Sequence, residues 1–481
     1  MKEDSVRQQT ILSVKWTAIE RLGLQGMQFA LGIIMARLLA PSDYGVIGMI
    51  SIFLAISQSF MDSGFGTALI QKQNRTETDF STVFYFNIAM AALCYLILFL
   101  IAPYVASFFR TPILCAVLRI QSINLLINSC MQVHVSKLTI GLDFKALAKR
   151  SLIATLLSGI CGIIFAYYGF GVWALVFQGL ISSAINLIFV LLYIRWKPRW
   201  EFSWFSFKEL GSFGSKLLAS GLLHTVYTNM TTLVIGRCFS SKDLGFYNRG
   251  TSFATLPVDT MNGILQKVTF PILSKIQDDN VRLIHVYRKY ICVMSIPIFW
   301  GCTLLAALAK PVILLFLTEK WADAVIYLEI YAFAIMFDHI CTINLNLLKV
   351  KGRSDLFLRL EIVKKIIAVA ILFASIPFGI IGICISKVVY TQIAVYINTY
   401  YTGKLLGLGY WIQFKDYILY FFASVIACLP AFLFATLDLH PVMAIMFGLI
   451  SSLLIYYFLL RKNADFLELK ELMEEKLSRH K

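Results

Sequence analysis

Basic side chains stand inside long apolar segments of this chain, where a charge is costly. A lysine or arginine at the centre of a bilayer costs about 2.5–3.5 kcal/mol, so such residues usually face a protein cavity or a charged partner. Arginine offers a planar fork and lysine a point charge, and both bind phosphate groups. We therefore expect an anionic substrate group to be bound by these bases, the last two near the mouth of a cavity: Arg21, Arg119, Arg249, Lys387, Lys15 and Lys216.

Carboxylates in the same kind of segment indicate a different chemistry. Asp62 precedes the glycine-bracketed stretch 63–66, Asp259 follows Pro257 by two residues, and Asp338 lies in the middle of an apolar segment. A carboxylate in a medium of low dielectric constant can bind and release a proton near neutral pH, or ligate Na⁺. We therefore predict that these three residues couple the protein to H⁺ or Na⁺, and we expect no other cofactor.

Some of these residues also have a structural interpretation. Lys15 and Lys216 lie near the ends of apolar segments, where a lysine can extend its ammonium group to the interface. Arg21 can pair with a neighbouring helix, and Asp62 can cap a helix or pair with a nearby base. The chain has no spacing typical of metal ligands and no H-E-x-x-H, G-x-S-x-G or G-x-x-x-x-G-K-[ST] motif. We therefore expect neither catalysis nor an ATP-binding loop.

The composition indicates what must position these groups. Of 481 residues, 59% are hydrophobic and 15% charged, against about 45–50% and about 25% in soluble domains. This excludes soluble, disordered and fibrous classes and predicts an all-α polytopic membrane protein. With about 20 apolar residues per helix, the chain contains about 14 transmembrane helices. Their predicted ranges are 11–36, 45–69, 80–102, 113–136, 149–168, 172–194, 213–236, 246–270, 291–309, 325–347, 361–378, 380–402, 416–436 and 442–460.

The distribution of positive charge predicts the orientation. The chain has 43 Lys and Arg against 27 Asp and Glu, a formal net charge of +16. Most of these bases fall on one side when the N-terminus and the even-numbered connections are assigned to that side. By the positive-inside rule, both termini are cytoplasmic. The first ten residues are polar, so we expect no cleaved signal peptide, and we place the protein in the cytoplasmic (inner) membrane.

An aromatic and basic connection divides the chain into two halves. Residues 195–211 interleave tryptophan and phenylalanine with basic residues, which suits an amphipathic segment at the membrane interface or an aromatic belt at two helix ends. We expect buried charges from both halves to meet at a central site between two pseudo-symmetric lobes. The predicted organisation is an N-terminal six-helix lobe 1–194, a linker 195–211, a C-terminal six-helix lobe 212–402, two further helices 403–460 and a tail 461–481.

An internal repeat supports this division. The connection after the first helix of each half carries Arg, Asp and Gly at identical offsets, and six helices separate the two copies. The matching pairs are Arg37 with Arg237, Asp43 with Asp243, and Gly45 with Gly245. We expect the aspartates, with Ser42 and Ser241, to accept from the free N–H groups at the start of the next helix. The glycines would permit a close turn, and the arginines would pair with those carboxylates or with headgroups.

The same region carries a resemblance to a known family. R-L-L-A-P-S-D-Y-G-x-x-G-M at 37–49 is similar to the first-loop signature of bacterial Wzx-type polysaccharide flippases, in the superfamily that also holds MATE exporters and the lipid II flippase. Further matches are F-M-D-S-G-F-G-T-A-L-I-Q at 60–71, F-P-I-L-S-K-I-Q-D-D at 270–279 and E-K-W-A-D-A-V at 319–325. With about 14 helices, the resemblance spans essentially the whole chain.

The resemblance implies export of an undecaprenyl-pyrophosphate-linked oligosaccharide by alternating access. Its implied partners are this lipid-linked oligosaccharide, the bilayer, and a polysaccharide polymerase with its chain-length machinery, and no nucleic acid. A MATE-like exporter of small cationic compounds and a lipid II flippase are the alternatives within transport. A membrane glycosyltransferase or polysaccharide polymerase is a third alternative, but such enzymes generally need a large outward loop with carboxylates, which this chain lacks.

Overall fold

The computed structural model of the protein describes residues 2–61, 64–437, 439–468 and 471. The side chains of residues 2–15, 18, 212–217, 219–220, 264–268 and 354 lie outside this description. Within the described residues the chain is helical and contains no strand, which confirms the predicted all-α fold. The first helices are α1 Lys2–Leu38, α2 Pro41–Met61, α3 Phe65–Gln71, α4 Glu77–Phe108, α5 Ile113–Gln121, α6 Ile123–Ile140, α7 Phe144–Tyr167, α8 Val172–Tyr193 and α9 Trp204–Cys238.

The remaining helices follow with short connections. They are α10 Ser241–Lys275, α11 Asn280–Ala307, α12 Ala309–Leu317, α13 Val325–Ile335, α14 Asp338–Val350, α15 Ser354–Ser375, α16 Gly379–Leu406, α17 Tyr410–Thr436 and α18 Pro441–Leu460, with 3₁₀ turns at Glu319–Ala324 and Ile376–Phe378. Several predicted spans are built from two pieces. The predicted span 113–136, for example, is interrupted between α5 and α6.

Ten segments of the described chain are long and apolar enough to cross a membrane. One of them, Asp355–Leu406, has 52 residues and contains both α15 and α16. The long helices α1, α9 and α10 are not among the ten. The chain is therefore a multi-pass membrane protein, and the number of about 14 spans stays a prediction.

By its contacts, the chain divides into two compact units, Met1–Gly245 and Phe246–Lys481. In unit 1, α1 packs on α7, α7 on α8, α2 on α9, and α4 on α5 and α6. In unit 2, α17 packs on α11 and α18, and α16 packs on α13 and α15. Helix α9 thus belongs to unit 1 by packing, whereas the internal repeat placed it in the second lobe. The predicted domain boundaries stay a prediction.

The start of α4, before the predicted span 80–102, is stabilised by a polar network. Thr76 and Asp79 form a capping box, in which each side chain accepts from the other's backbone N–H. The ammonium of Lys72 donates to Asp79 at 3.1 Å and to Glu209 on α9 at 2.9 Å. Partial burial favours the neutral amine, but these two carboxylates outweigh it and raise the pKa of Lys72 above its ordinary value. The network ties α9 to the start of α4.

The repeated connections are capped as expected for the aspartates. The carboxylate of Asp43 accepts from the N–H of Ala40 at 2.9 Å, and that of Asp243 accepts from the N–H of Ser240 at 3.2 Å. At the start of α10, the hydroxyl of Ser240, and not that of Ser241, accepts a hydrogen bond from the backbone N–H of Asp243. Each aspartate thus satisfies a donor that the helix start leaves free.

The prediction of a close turn at the two repeated glycines is wrong, because both lie inside helices. Their lack of a side chain serves a close approach instead. A Cβ on Gly45 would lie 1.7 Å from the carbonyl oxygen of Ser241, and one on Gly245 would lie 1.9 Å from that of Pro41. The two copies of the repeat therefore press their helix starts against each other reciprocally within unit 1.

The predicted linker is divided between packed and exposed aromatic residues. The indole N–H of Trp196 donates to Glu77 at 2.6 Å, and the ammonium of Lys137 lies 4.6 Å above the Trp196 ring. Trp200 is 94% exposed, and Phe205 is 77% exposed. One part of the segment is therefore fixed to α4 and α6, while the other presents aromatic surface outward.

Candidate functional site

Three of the predicted site residues come together in unit 2. Asp338 interacts electrostatically with Lys387 and with Asp259. Asp338 lies on α14, Lys387 on α16 and Asp259 on α10. Asp338 is 49 residues before Lys387 and 79 residues after Asp259 in the sequence. Tyr331 on α13 interacts with all three charges. We call Asp259, Tyr331, Asp338 and Lys387 the unit 2 cluster.

Close packing of α10 on α13 positions the cluster. A Cβ on Gly250 would lie 2.7 Å from the carbonyl oxygen of Ala324, so only glycine permits this approach. One turn earlier, the ring of Tyr247 meets that of Tyr331 edge-on, with centroids 6.4 Å apart. These contacts hold the hydroxyl-bearing face of α13 toward α10, and Asp259 follows further along α10.

The cluster combines enclosure with access to water. Asp338 is surrounded by protein atoms, yet part of its side chain remains accessible, and Asp259 is exposed. The Lys387 side chain is half-buried, and its ammonium lies 5.2 Å from the centre of the Tyr390 ring. An enclosed carboxylate with a path to water can exchange a proton or a cation, and a nearby lysine can respond to the change in charge.

Sequence reasoning missed two members of this environment. Tyr331 carries no charge and is not distinguished in an aromatic-rich span. Lys364 is almost fully buried, forms an ion pair with Glu361 and interacts with Asp338. The signal for Lys364 was present, because acid and base three residues apart share a helix face, but Lys364 is the fourth residue of the predicted span 361–378, where a lysine is typical of a helix end.

The other predicted bases have separate environments. In unit 2, Arg249 is half-buried on α10, beside Gly250. In unit 1, Arg21 is exposed on α1. Arg119 donates from Nε to the carbonyl of Phe99 at 3.2 Å, and its guanidinium lies 4.2 Å from the centre of that ring. Arg119 is thus held against Phe99 of α4, whereas the side chain of Arg21 is accessible.

A further base in unit 1 was not among the predicted site residues. Arg150 on α7 is half-buried and interacts with Glu20 on α1, which accepts from Ser151 Oγ at 2.7 Å. Its Nη1 lies 3.5 Å from the sulfur of Met131. Arg150 is the second residue of the predicted span 149–168, where a base is typical of a helix end at the membrane interface. Its electrostatic interaction with Glu20 shows that a base on α7 lies near the acid of α1.

Three predicted site residues fall outside the described parts of the chain. Asp62 is one of the undescribed residues between α2 and α3. Lys15 and Lys216 lie in α1 and α9, but their side chains are outside the description. Their predicted roles stay predictions.

Comparison with known proteins identifies the family. A family model described as "Polysaccharide biosynthesis protein" matches residues 34–326, more than half of the chain. The chain therefore belongs to this family of polysaccharide biosynthesis proteins.

The similarity to individual relatives extends over most of the chain. It is 27% identical over 363 residues to the teichuronic acid biosynthesis protein TuaB of Bacillus subtilis (strain 168), covering 73% of each chain. It is 23% identical over 431 residues to the lipopolysaccharide biosynthesis protein WzxC of Escherichia coli (strain K12), covering 89% of this chain and 87% of that protein.

Solved structures define the fold. The chain is similar to the lipid II flippase MurJ in an inward closed conformation, with a TM-score of 0.74, 15% identity, and coverage of 94% of this chain and 99% of that one. It is also similar to an inward-facing multidrug resistance MATE family transporter of the MOP superfamily, with a TM-score of 0.61, 14% identity, and coverage of 82% and 98%. The fold predicted from the resemblance is therefore confirmed.

Proposed function

We propose that this protein is a flippase that moves an undecaprenyl-pyrophosphate-linked oligosaccharide across the cytoplasmic membrane by alternating access. The observation that carries the proposal is the unit 2 cluster, which gathers a base and two carboxylates in a membrane protein of a polysaccharide biosynthesis family. The similarity of fold to the lipid II flippase MurJ supports the same class. We assign no catalytic role to any residue.

The bases are proposed to contact the pyrophosphate. Lys387 is the first candidate, because its half-buried ammonium group interacts electrostatically with Asp338 in a membrane-spanning helix. Arg249 and Arg21 are partly or fully accessible and follow next. Arg119 is bound to Phe99 and would have to leave that contact to reach a substrate. Lys15 and Lys216 keep their proposed place at the mouth of the cavity.

The carboxylates are proposed to couple transport to H⁺ or Na⁺. When Lys387 pairs with Asp338, the carboxylate has little need of another cation. When pyrophosphate binds Lys387, Asp338 loses that partner and, together with the nearby Asp259, takes up a proton or Na⁺, because unpaired negative charge is costly in a low-dielectric region. Release of the substrate on the other side reverses the exchange. Asp62 is proposed as a further coupling residue in unit 1.

The same proposal fixes the setting of the protein. We place it in the inner membrane with both termini in the cytoplasm, on the basis of the charge bias of its connections. Its proposed downstream partners are a polysaccharide polymerase and the associated chain-length machinery, since an exported repeat unit requires assembly. The linker 195–211 is proposed to lie at the cytoplasmic interface, where the exposed Trp200 and Phe205 suit the headgroup region.

Charge reversal at Lys387 tests this function. In cells that lack the native gene, we expect Lys387→Glu to lower the outward appearance of the lipid-linked saccharide at least tenfold, because about 1.4 kcal/mol of lost binding already gives that factor. The saccharide would be measured by enzymatic labelling from outside intact spheroplasts. Its total amount would be measured after lysis, and protein abundance by immunoblotting.

Lys404→Glu provides the matched control. Lys404 lies on the same helix and near a tyrosine ring, 4.7 Å from the centre of Tyr400, but it is exposed and outside the cluster. We expect normal export from this variant. Normal export from Lys387→Glu would remove Lys387 from the proposed site, and outward appearance of the saccharide in cells without the protein would refute the flippase assignment.

A further inference from the structure

Unit 1 contains a recess whose lining is rich in side-chain amides. It has a volume of about 230 Å³ and opens between α2, α5 and α6. Its lining consists of Leu54, Ala55, Gln58, Gln121, Asn124, Leu125 and Asn128. Four of these seven side chains are primary amides, and none is ionisable. Four amides on three neighbouring helices are unusual in a membrane span, where polar side chains are rare and usually functional.

The chain builds this lining in a simple way. Gln121, Asn124 and Asn128 are spaced by three and four residues, so they share one face of a helical segment. The segment is interrupted at Ser122, between α5 and α6, and Gln121 is the last residue before the interruption. Broken helices at membrane depth are tolerated where they line a cavity and often mark a binding site.

The amides that face one another here are not fully used by the protein. Gln121 Oε1 and Asn124 Oδ1 are buried and accept no hydrogen bond from any described residue. A carbonyl oxygen without a donor in an apolar surrounding is costly, so a ligand that donates to Gln121 Oε1 or Asn124 Oδ1 would be stabilised there.

A glycine on α8 makes room for these two side chains. A Cβ on Gly179 would lie 3.0 Å from Gln121 Nε2 and 3.6 Å from Asn124 Nδ2. The amides therefore occupy the space that a side chain at position 179 would take. A larger residue there would force the Gln121 amide to move from its present position.

We propose that this recess binds the hydroxyl groups of a single neutral sugar residue of the transported saccharide, an inference that rests on the proposed function. Each amide offers a donor and an acceptor side by side, which matches adjacent sugar hydroxyls. Leu54, Ala55 and Leu125 give an apolar wall for the C–H face of the ring. The recess is smaller than the roughly 300–1,000 Å³ of drug-sized pockets, so it suits one ring and not a whole repeat unit. The absence of ionisable lining residues disfavours a cation or the pyrophosphate.

Direct binding to the purified full-length protein in lipid nanodiscs tests the proposal. The probes are neutral hexoses and N-acetylhexosamines, and their binding is measured by saturation-transfer NMR. Inorganic pyrophosphate serves as the probe of the charged site. We expect at least one sugar to bind the wild type and to bind Gln121→Leu/Asn124→Leu about tenfold more weakly, because both amides then lose their bonds to the ligand. Pyrophosphate binding should be unchanged.

Two further variants keep the result interpretable. Gly179→Ala removes no polar group and adds a good helix former, yet it should also weaken sugar binding by crowding Gln121. Asn186→Leu removes an amide of α8 that donates to its own helix at Ser182, and it should bind sugar like the wild type. Equal sugar binding by the wild type and the first two variants would overturn the proposal, as would the absence of sugar binding to the wild type.

The recess and the proposed function fail in different ways. If export is normal but sugar binding does not depend on Gln121, Asn124 or Gly179, the recess is not a sugar site and the flippase assignment stands. If the recess binds sugar but cells without the protein still present the saccharide outside, the flippase assignment fails and the recess remains a saccharide site.

Discussion

Replacement of Gly45 by alanine places a methyl group where the structure has no room. The added Cβ would lie 1.7 Å from the carbonyl oxygen of Ser241, and the matching change at Gly245 would place a Cβ 1.9 Å from that of Pro41. Neither obstacle is a flexible side chain, so a change of rotamer cannot relieve it. The two helix starts must separate by more than an ångström, which breaks the reciprocal contact of the repeat.

The expected cost is that of overpacking, about 1–3 kcal/mol. For a unit of this size it corresponds to a melting temperature lowered by roughly 2–12 °C, measured on purified protein in detergent by the loss of monodisperse elution after heating. The control is Gly26→Ala on α1, where a Cβ would meet nothing within 4 Å. This variant should be unchanged or more stable by up to about 1 kcal/mol, because alanine is the better helix former.

The double variant Gly45→Ala/Gly245→Ala separates a shared contact from two independent ones. Once the first methyl group has parted the helix starts, the second meets less resistance, so we expect the combined loss of stability to be smaller than the sum of the single losses. If Gly45→Ala and Gly26→Ala have the same melting temperature, the close approach of Gly45 to Ser241 is refuted. Strict additivity would show that the two glycines do not report the same contact.

Two further predictions concern polar contacts in unit 2. Gln413→Leu removes one of the hydrogen-bond partners of the buried amide of Asn344, at 2.9 Å, so we expect a loss of about 1–3 kcal/mol in unfolding free energy, read from a denaturation series; unchanged stability would mean that water replaces Gln413. Arg288→Gln breaks a two-point contact with the nearly buried Asp416 and should lower the melting temperature measurably. Arg353→Gln, which breaks an exposed pair, should not lower it; equal effects of the two changes would contradict the role of burial.

Local features of this protein are predictable from the chain because their causes are local. Long apolar segments must cross a bilayer as helices, since no water is present there to satisfy the backbone. Asp43 and Asp243 cap their helices because their carboxylates reach a backbone N–H three residues earlier, a distance set by the chain itself. The family resemblance of the loop at 37–49 likewise depends only on residues that are adjacent in sequence.

Residue types and approximate depth could also be predicted for the candidate site, but not which residues meet. Asp259, Asp338 and Lys387 were singled out because each is charged inside an apolar segment, and that reason applies equally to Arg119. Packing separates them: the first three share a cluster in unit 2, whereas Arg119 is fixed to Phe99. The amide recess was overlooked because uncharged amides do not stand out in an apolar span, although their spacing was visible.

The chain alone therefore defined a helical multi-pass membrane protein with a repeated, aspartate-capped connection, because hydrophobic length and capping act over a few residues. Folding in three dimensions determined that Gly45 serves a close contact with Ser241 instead of a turn, and that the environment of Asp338 includes Lys364. Such contacts join residues far apart in the sequence, and they depend on the depth, rotation and spacing of whole helices. No pattern within a single segment encodes those three quantities.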